Sequence, residues 1–149
     1  MKNENLEWCK RIALNLESYY NGEVYKCPEC GEEFDLYNDG NYMSADNSED
    51  GVEKATCPCC GYVSEYSNEF EPMSLWDYFT DCYDIEYRFG SDRTLRSVCI
   101  MVACGGPNIY IDTGSKRVEL YWWGDRASYP IDNDVCQEID SLFEEIFDC

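Results

Sequence analysis

Two short segments constrain this chain more than anything else in it: Cys27-Pro28-Glu29-Cys30-Gly31 and Cys57-Pro58-Cys59-Cys60-Gly61, each reading Cys-Pro-x-Cys-Gly. Two thiolates three positions apart grip one metal ion. Proline sets up the tight turn, and glycine takes the positive-φ position where the backbone closes beneath the ion. Two such turns supply four sulfurs, the closed tetrahedral set that a structural zinc ion takes. The spacing therefore predicts one structural Zn2+ held by Cys27, Cys30, Cys57 and Cys60. Cys59 lies between the ligand positions of the second turn and is expected to point away from the metal.

Over residues 24 to 66 the paired turns resemble the knuckles of zinc-ribbon and rubredoxin-type domains. The resemblance implies a ribbon in which the metal holds the fold together and does no chemistry of its own. Cysteine-only tetrahedral sites in small accessory domains favour zinc over iron.

At 149 residues, the chain suits one compact domain with a metal-stapled appendage, or two small lobes. Its 44% hydrophobic and 15% aromatic content is enough for a core. Charge is the second large constraint. Eleven Lys and Arg stand against 31 Asp and Glu, with no histidine, giving −20. Four bound thiolates and one Zn2+ take this to about −22. Direct binding of DNA or RNA, which relies on Lys and Arg neutralising phosphates, is disfavoured. Anionic membrane surfaces are disfavoured for the same reason, and basic protein partners are favoured. Met1 to Lys10 lacks the apolar core of a secretion signal, and no stretch approaches 18 apolar residues, so a cytoplasmic location is expected. The remaining cysteines (Cys9, Cys59, Cys82, Cys99, Cys104, Cys136 and Cys149) then read as reduced thiols.

Hydrophobic spacing divides the chain into an N-terminal helix (1–23), a zinc ribbon with an acidic loop (24–71) and an α+β lobe (72–149). Leu6, Cys9, Ile12, Ala13, Leu16 and Tyr20 recur at helical steps over residues 3 to 20, and Asn21-Gly22 supplies the stop. Strands are expected at Glu33 to Tyr37 and Val52 to Thr56, around an exposed, mobile loop from Asn38 to Gly51. Residues 24 to 72 carry 12 acids against Lys26 and Lys54, half the net charge on a third of the chain. Beyond Pro72, Ser74 with Asp77 opens a short helix. Four strands follow: Asp84 to Phe89, Thr94 to Ala103, Asn108 to Asp112 and Arg117 to Trp123. Short connections make them an antiparallel meander. Asp132 to Phe147 is a final helix that buries Val135, Ile139, Leu142, Phe143 and Ile146. The fold class is α+β: a four-stranded antiparallel sheet packed by helices, with the four-cysteine zinc ribbon inserted after the first helix.

Two further motifs suggest catalysis and have simpler explanations. Ile109-Tyr110-Ile111-Asp112-Thr113-Gly114-Ser115 looks like an aspartic-protease signature, but those enzymes need two such aspartates sharing a proton. One copy reads as a hairpin turn with Gly114 in the left-handed region. Cys104-Gly105-Gly106-Pro107 places a thiol on flexible backbone, yet no histidine exists to activate it. No catalytic residue is assigned and the chain is not expected to be an enzyme; an Asp- or Cys-dependent hydrolase is the lesser alternative.

Residues 131 to 149 carry seven acids and no base. Asp134, Glu138, Glu145 and Asp148 fall near one exposed stripe, which Asp140 and Glu144 widen. Acids in the last turn oppose the helix dipole, and no basic residue at i,i+4 relieves them. Carboxylates at i,i+4 repeat about every 6 Å along a helix axis, against a phosphate about every 3.4 Å along a DNA strand. Two staggered rows approximate a phosphate track. Size, charge and abundant Tyr and Trp are similar in character to the phage- and plasmid-encoded DNA-mimic proteins that block restriction or CRISPR systems. That resemblance implies a basic nucleic-acid-binding protein as partner, met by Glu138, Glu144, Glu145, Asp134 and Asp148, or by Asp46, Glu49 and Asp50 of the acidic loop. The alternative is a zinc-ribbon adaptor or regulator subunit of a cellular complex, without mimicry.

Overall fold

The computed structural model describes residues 2–36, 41–43, 51, 54–64 and 70–148. Its chain forms two compact units. Ser18–Ser74 is one; Met1–Glu17 together with Leu75–Cys149 is the other.

Helix α1 (Lys2–Tyr20) runs from the second of these into the first. Cys9, Ile12, Ala13 and Leu16 are buried at helical spacing, while Leu6 and Tyr20 are more exposed than the stripe predicts. The helix stops as the sequence requires. Gly22 has φ 74°, its N–H donates to the Tyr19 carbonyl, and the Glu23 N–H reaches the Ser18 carbonyl at 2.9 Å. These paired bonds cap the last carbonyls in a Schellman arrangement.

In Ser18–Ser74, β1 (Val24–Lys26) and β2 (Glu33–Asp35) flank the first knuckle, while β4 (Lys54–Thr56) and β5 (Val63–Ser64) flank the second. Each pair is antiparallel, and each gains a third strand: β6 (Glu71–Pro72) beside β1, and β3 (Tyr42–Met43) beside β4. Strand β3 lies inside the stretch expected to be loop. The acidic run Asp46 to Asp50 lies outside the described residues. Between the hairpins a small core forms from Cys27, Leu36, Ala55, Cys57 and Phe70, with Tyr25, Phe34, Tyr42 and Tyr62 packed against it.

The larger unit holds α2 (Leu75–Tyr78), a sheet of β7 (Asp84–Phe89), β8 (Leu95–Ala103), β9 (Asn108–Asp112), β10 (Arg117–Trp122) and β11 (Asp125–Pro130), and α3 (Asn133–Asp148). The sheet has five strands, not four, in the order β11-β10-β9-β8-β7, all neighbours antiparallel. The extra strand, β11, is an edge strand. One of its faces meets the half-buried rim of the sheet and the other meets water, so Asp-Arg-Ala-Ser-Tyr-Pro carries no apolar alternation to announce it. Val98, Ile100, Ile109, Ile111, Val118 and Leu120 fill the covered face. Helix α3 contributes Val135, Cys136, Ile139 and Phe143 to the core, and Phe143 meets Trp76, Phe79 and Tyr87 edge to face. Leu142 is only half-buried and Ile146 is exposed. Asp132 caps α3, its carboxylate accepting the Asp134 N–H at 2.9 Å. Among the described residues, no helix is long and apolar enough to cross a membrane.

The β10–β11 hairpin turns through Trp123 and Gly124 alone, with φ of 52° and 81°. Two positive φ values define a type I′ turn, whose first position suits Asn or Asp and strains a bulky side chain. Trp123 occupies it while 87% exposed. Replacing the side chain by the residue this turn prefers, Trp123→Asn, is expected to stabilise the unit by about 1 kcal/mol. Urea unfolding measures it, and a loss of stability would contradict the strain.

Candidate metal centre

Each knuckle is built by the same hydrogen bonds. The Cys27 N–H donates to the Glu32 carbonyl at 2.9 Å and the Gly31 N–H to the Cys27 carbonyl at 3.0 Å. In the second turn, Cys57 donates to Tyr62 at 2.8 Å and Gly61 to Cys57 at 3.0 Å. Gly31 and Gly61 have φ of 77° and 79°, as the sequence requires. The two hairpins face each other through their sulfurs. Cys27 and Cys60 Sγ are 3.7 Å apart, as are Cys30 and Cys57, and all four lie within 4.8 Å of one another.

A metal held about 2.3 Å from each of four sulfurs sets them about 3.8 Å apart, so the donor set fits a tetrahedral thiolate site. Cys27 and Cys57 are buried in the small core, with Cys30 and Cys60 exposed above it. Cys59 is exposed and lies outside the set. Four thiols this close cannot all ionise by themselves. Burial pushes Cys57 up, but the backbone N–H groups of Cys60 and Cys59 and the thiols of Cys30 and Cys60 bring it down to about 7. The Glu32 backbone favours a Cys30 thiolate, yet desolvation and its three neighbouring thiols push it up to about 12. The Tyr62 backbone, and with it the Cys30 thiol, favours a Cys60 thiolate, yet desolvation and the Cys57 and Cys27 thiols push it up. A divalent cation resolves the conflict by neutralising the repulsion.

The acidic positions are placed as follows. Asp134, Glu138, Glu144 and Glu145 are exposed on α3, and among the described residues none of them makes an ion pair. Asp140 does not widen their stripe; it is half-buried, and its Oδ1 accepts a 2.6 Å hydrogen bond from Thr113 Oγ1. Asp46, Glu49, Asp50 and the Asp148 side chain lie outside what is described.

The Asp-Thr-Gly segment forms a latch. Asp112 is buried and accepts from Arg88 Nη1 at 3.0 Å, the Gly114 N–H at 2.8 Å and the Ser115 N–H at 3.2 Å. Thr113 accepts the Val98 N–H at 2.9 Å and donates to Asp140, tying β8, the turn and α3 together. Gly114 is not the left-handed residue here; Lys116 is, with φ 58°. A side chain at 114 would crowd the latch: its Cβ would sit 3.0 Å from Ser97 Oγ and 3.1 Å from Arg88 Nη1 and Asp112 Oδ1, so these groups would have to shift. Spacing gave no sign of this crowding or of the Arg88 contact, which links positions 24 residues apart. Cys104 is exposed. Burial, then the Asp112 charge, pushes the nearby Cys99 up to about 11, which keeps it a neutral thiol.

Comparison with family models, curated proteins and solved structures found no match to this chain.

Two expectations follow from these contacts. Cys27→Ser should unfold Ser18–Ser74, whose folding is coupled to the metal, while the larger unit keeps its own core. Elemental analysis should find one metal per chain, and an unchanged amide spectrum after chelation would count against the site. The second concerns Asp140, whose pKa is raised by burial, with repulsion from Glu144 and Asp112, against the Thr113 bond. A carboxyl raised in the fold gives stability that is present below the unfolded value and lost as pH climbs through the folded one. Asp140→Asn keeps the acceptor oxygen and removes the charge. It should therefore be more stable than wild type at pH 7, the gap closing as pH falls below 3.8. Thermal melts across pH 3 to 7 read the difference.

Proposed function

We propose that this chain is an acidic, zinc-stapled interaction protein that binds a basic nucleic-acid-binding protein and occupies its nucleic-acid groove, as anti-restriction and anti-CRISPR DNA mimics do. Zinc is the metal proposed for the four-sulfur site, because a closed thiolate set suits a structural ion with no redox role. The observation that carries the functional reading is the row of unpaired carboxylates on α3. Asp134, Glu138 and Glu145 share one exposed line, Glu144 flanks it, and no described cation neutralises them. Left unpaired on a chain of net charge −20, such a row favours association with a cationic groove and gives it a fast on-rate.

The reading without mimicry, a zinc-ribbon adaptor in a protein complex, draws its support from the large exposed aromatics Trp76, Tyr121 and Trp123, which an apolar docking site would use. Salt separates the two. Groove occupancy predicts steep loss of partner binding with ionic strength and competition by DNA; apolar docking predicts little change.

Reversing Glu138, Glu144 and Glu145 to Lys moves the net charge from −20 to −14, all of it on one helix. Positive charge in the last turn suits the dipole, so folding should hold or improve slightly. Capture of basic nucleic-acid-binding proteins, eluted by salt or competing DNA, should fall at least tenfold. Capture that resists both the reversal and high salt would replace mimicry with the adaptor reading.

A further inference from the structure

The uncovered face of the five-stranded sheet carries a site of a different character from the acidic helix. Glu119 and Tyr121 alternate along β10 with the fully buried Val118 and Leu120, so they project from the opposite, uncovered face. Tyr110 of β9 stands beside Glu119 in register, and its ring meets Tyr121 at 6.0 Å and 70°. These residues line a shallow depression of about 370 Å3 with Arg88, Cys99, Asn108 and Asp112. Glu119 accepts from the Tyr121 hydroxyl at 3.2 Å and Ser115 Oγ at 3.4 Å, and among the described residues no cation is paired with it. Arg88, the one cation among the described residues of this lining, is already held by Asp112 and Glu86, which leaves Glu119 to an incoming charge. Two residues past Tyr121, at the tip of the same hairpin, sits the strained and exposed Trp123.

We propose that this depression receives an arginine or lysine side chain of the protein partner, with Trp123 as the apolar anchor beside it. A guanidinium or ammonium group is attracted to aromatic faces and forms a charge-assisted hydrogen bond with a carboxylate that lacks a counter-cation. Two tyrosines at an edge-to-face angle with a glutamate beside them offer both interactions at once. Tryptophan, tyrosine and arginine are also the residues that dominate binding energy at protein interfaces. The depression supplies what a row of carboxylates lacks: a fixed register, because charge alone lets a partner slide. Arg126 lies opposite Tyr121 in register and lines the neighbouring depression with Glu119. It competes with an incoming cation, so the occupant's charge has a sign that can be tested.

This inference rests on the reading that the partner is basic, and the test separates the two. A tetra-arginine peptide is titrated into the intact, metal-loaded chain at about 0.15 M salt, where exposed charges are screened beyond about 8 Å, with tetra-glutamate as control. NMR shifts should concentrate at Tyr110, Tyr121 and Trp123. Glu119→Gln and Tyr121→Leu should each weaken the peptide about tenfold, and Arg126→Ala should tighten it about threefold. Trp123→Asn, which is expected to fold better than wild type, should still bind several-fold more weakly, so a loss there cannot come from unfolding. Running the titration again on the Glu138, Glu144 and Glu145 reversal removes peptide held by α3. Shifts spread evenly over the acidic surface, binding of tetra-glutamate, or weaker binding in Arg126→Ala would overturn the proposal. If these variants are silent while the α3 reversal abolishes partner capture, the depression is wrong and groove occupancy stands. The opposite pattern keeps the depression and removes the groove.

Discussion

Among the described residues of the 57-residue unit Ser18–Ser74, the core cluster is Cys27, Leu36, Ala55, Cys57 and Phe70, a small apolar area for a unit of that length. Small units meet this shortage with disulfides or metals, and here two of the five cluster residues are themselves sulfur donors. The four-sulfur contact is therefore the interaction around which the described residues of Ser18–Ser74 are built. Without a cation, its members oppose one another: Cys57 favours the thiolate while Cys30 and Cys60 resist it. With one, repulsion becomes coordination, and the two hairpins are joined across 27 to 33 residues of sequence. The aromatic contacts of Phe34 and Tyr62 with Phe70 then close the space around the buried pair of sulfurs.

What could be read in advance follows the range of the physics. The knuckles, α1, α3 and the four strands β7 to β10 are specified by neighbours within a few residues, through Cys-x-x-Cys spacing, three-to-four-residue periodicity or strict alternation. Strand β11 escaped because an edge strand is held by backbone pairing with β10, which leaves little mark on its side chains. Strands β3 and β6, two residues each, exist only because a knuckle hairpin offers them an edge. Gly114 misled for a related reason: its φ is not left-handed, and the crowding it meets comes from Ser97 and Arg88 on other strands, which no local rule detects. Asp140 looked like one more surface acid, although Thr113 and partial burial set it apart from Glu138 and Glu145. The four-cysteine cluster was legible almost completely; at Asp112 the hairpin turn was legible, but its Arg88 and Thr113–Asp140 contacts were not.

The acidity of the chain is distributed with some discipline. On the uncovered face of the large sheet, three arginines, Arg88, Arg117 and Arg126, stand among the acids, and Arg88 is spent on the buried Asp112. That pairing matters more than surface ion pairs do, since Asp112 is nearly inaccessible and its charge needs a partner there. On α3, by contrast, Asp134, Glu138, Glu144 and Glu145 have no ion pair among the described residues. Self-repulsion of this kind costs stability, and Val135, Ile139 and Phe143 on the opposite side of the helix offset it through burial.

The order of the chain has a consequence for how the molecule is made. Ser18–Ser74 is one uninterrupted stretch, whereas the larger unit needs residues 1–17 and 75–149 together. During vectorial synthesis the knuckles emerge complete while the five-stranded sheet has yet to be translated, so all four cysteines are on the nascent chain before α1 has the rest of its own unit to pack with. The buried stripe of α1, including Cys9 and Leu16, must wait in water through that interval. A cell short of metal would then meet the fault on the nascent chain, before the larger unit exists to be misassembled.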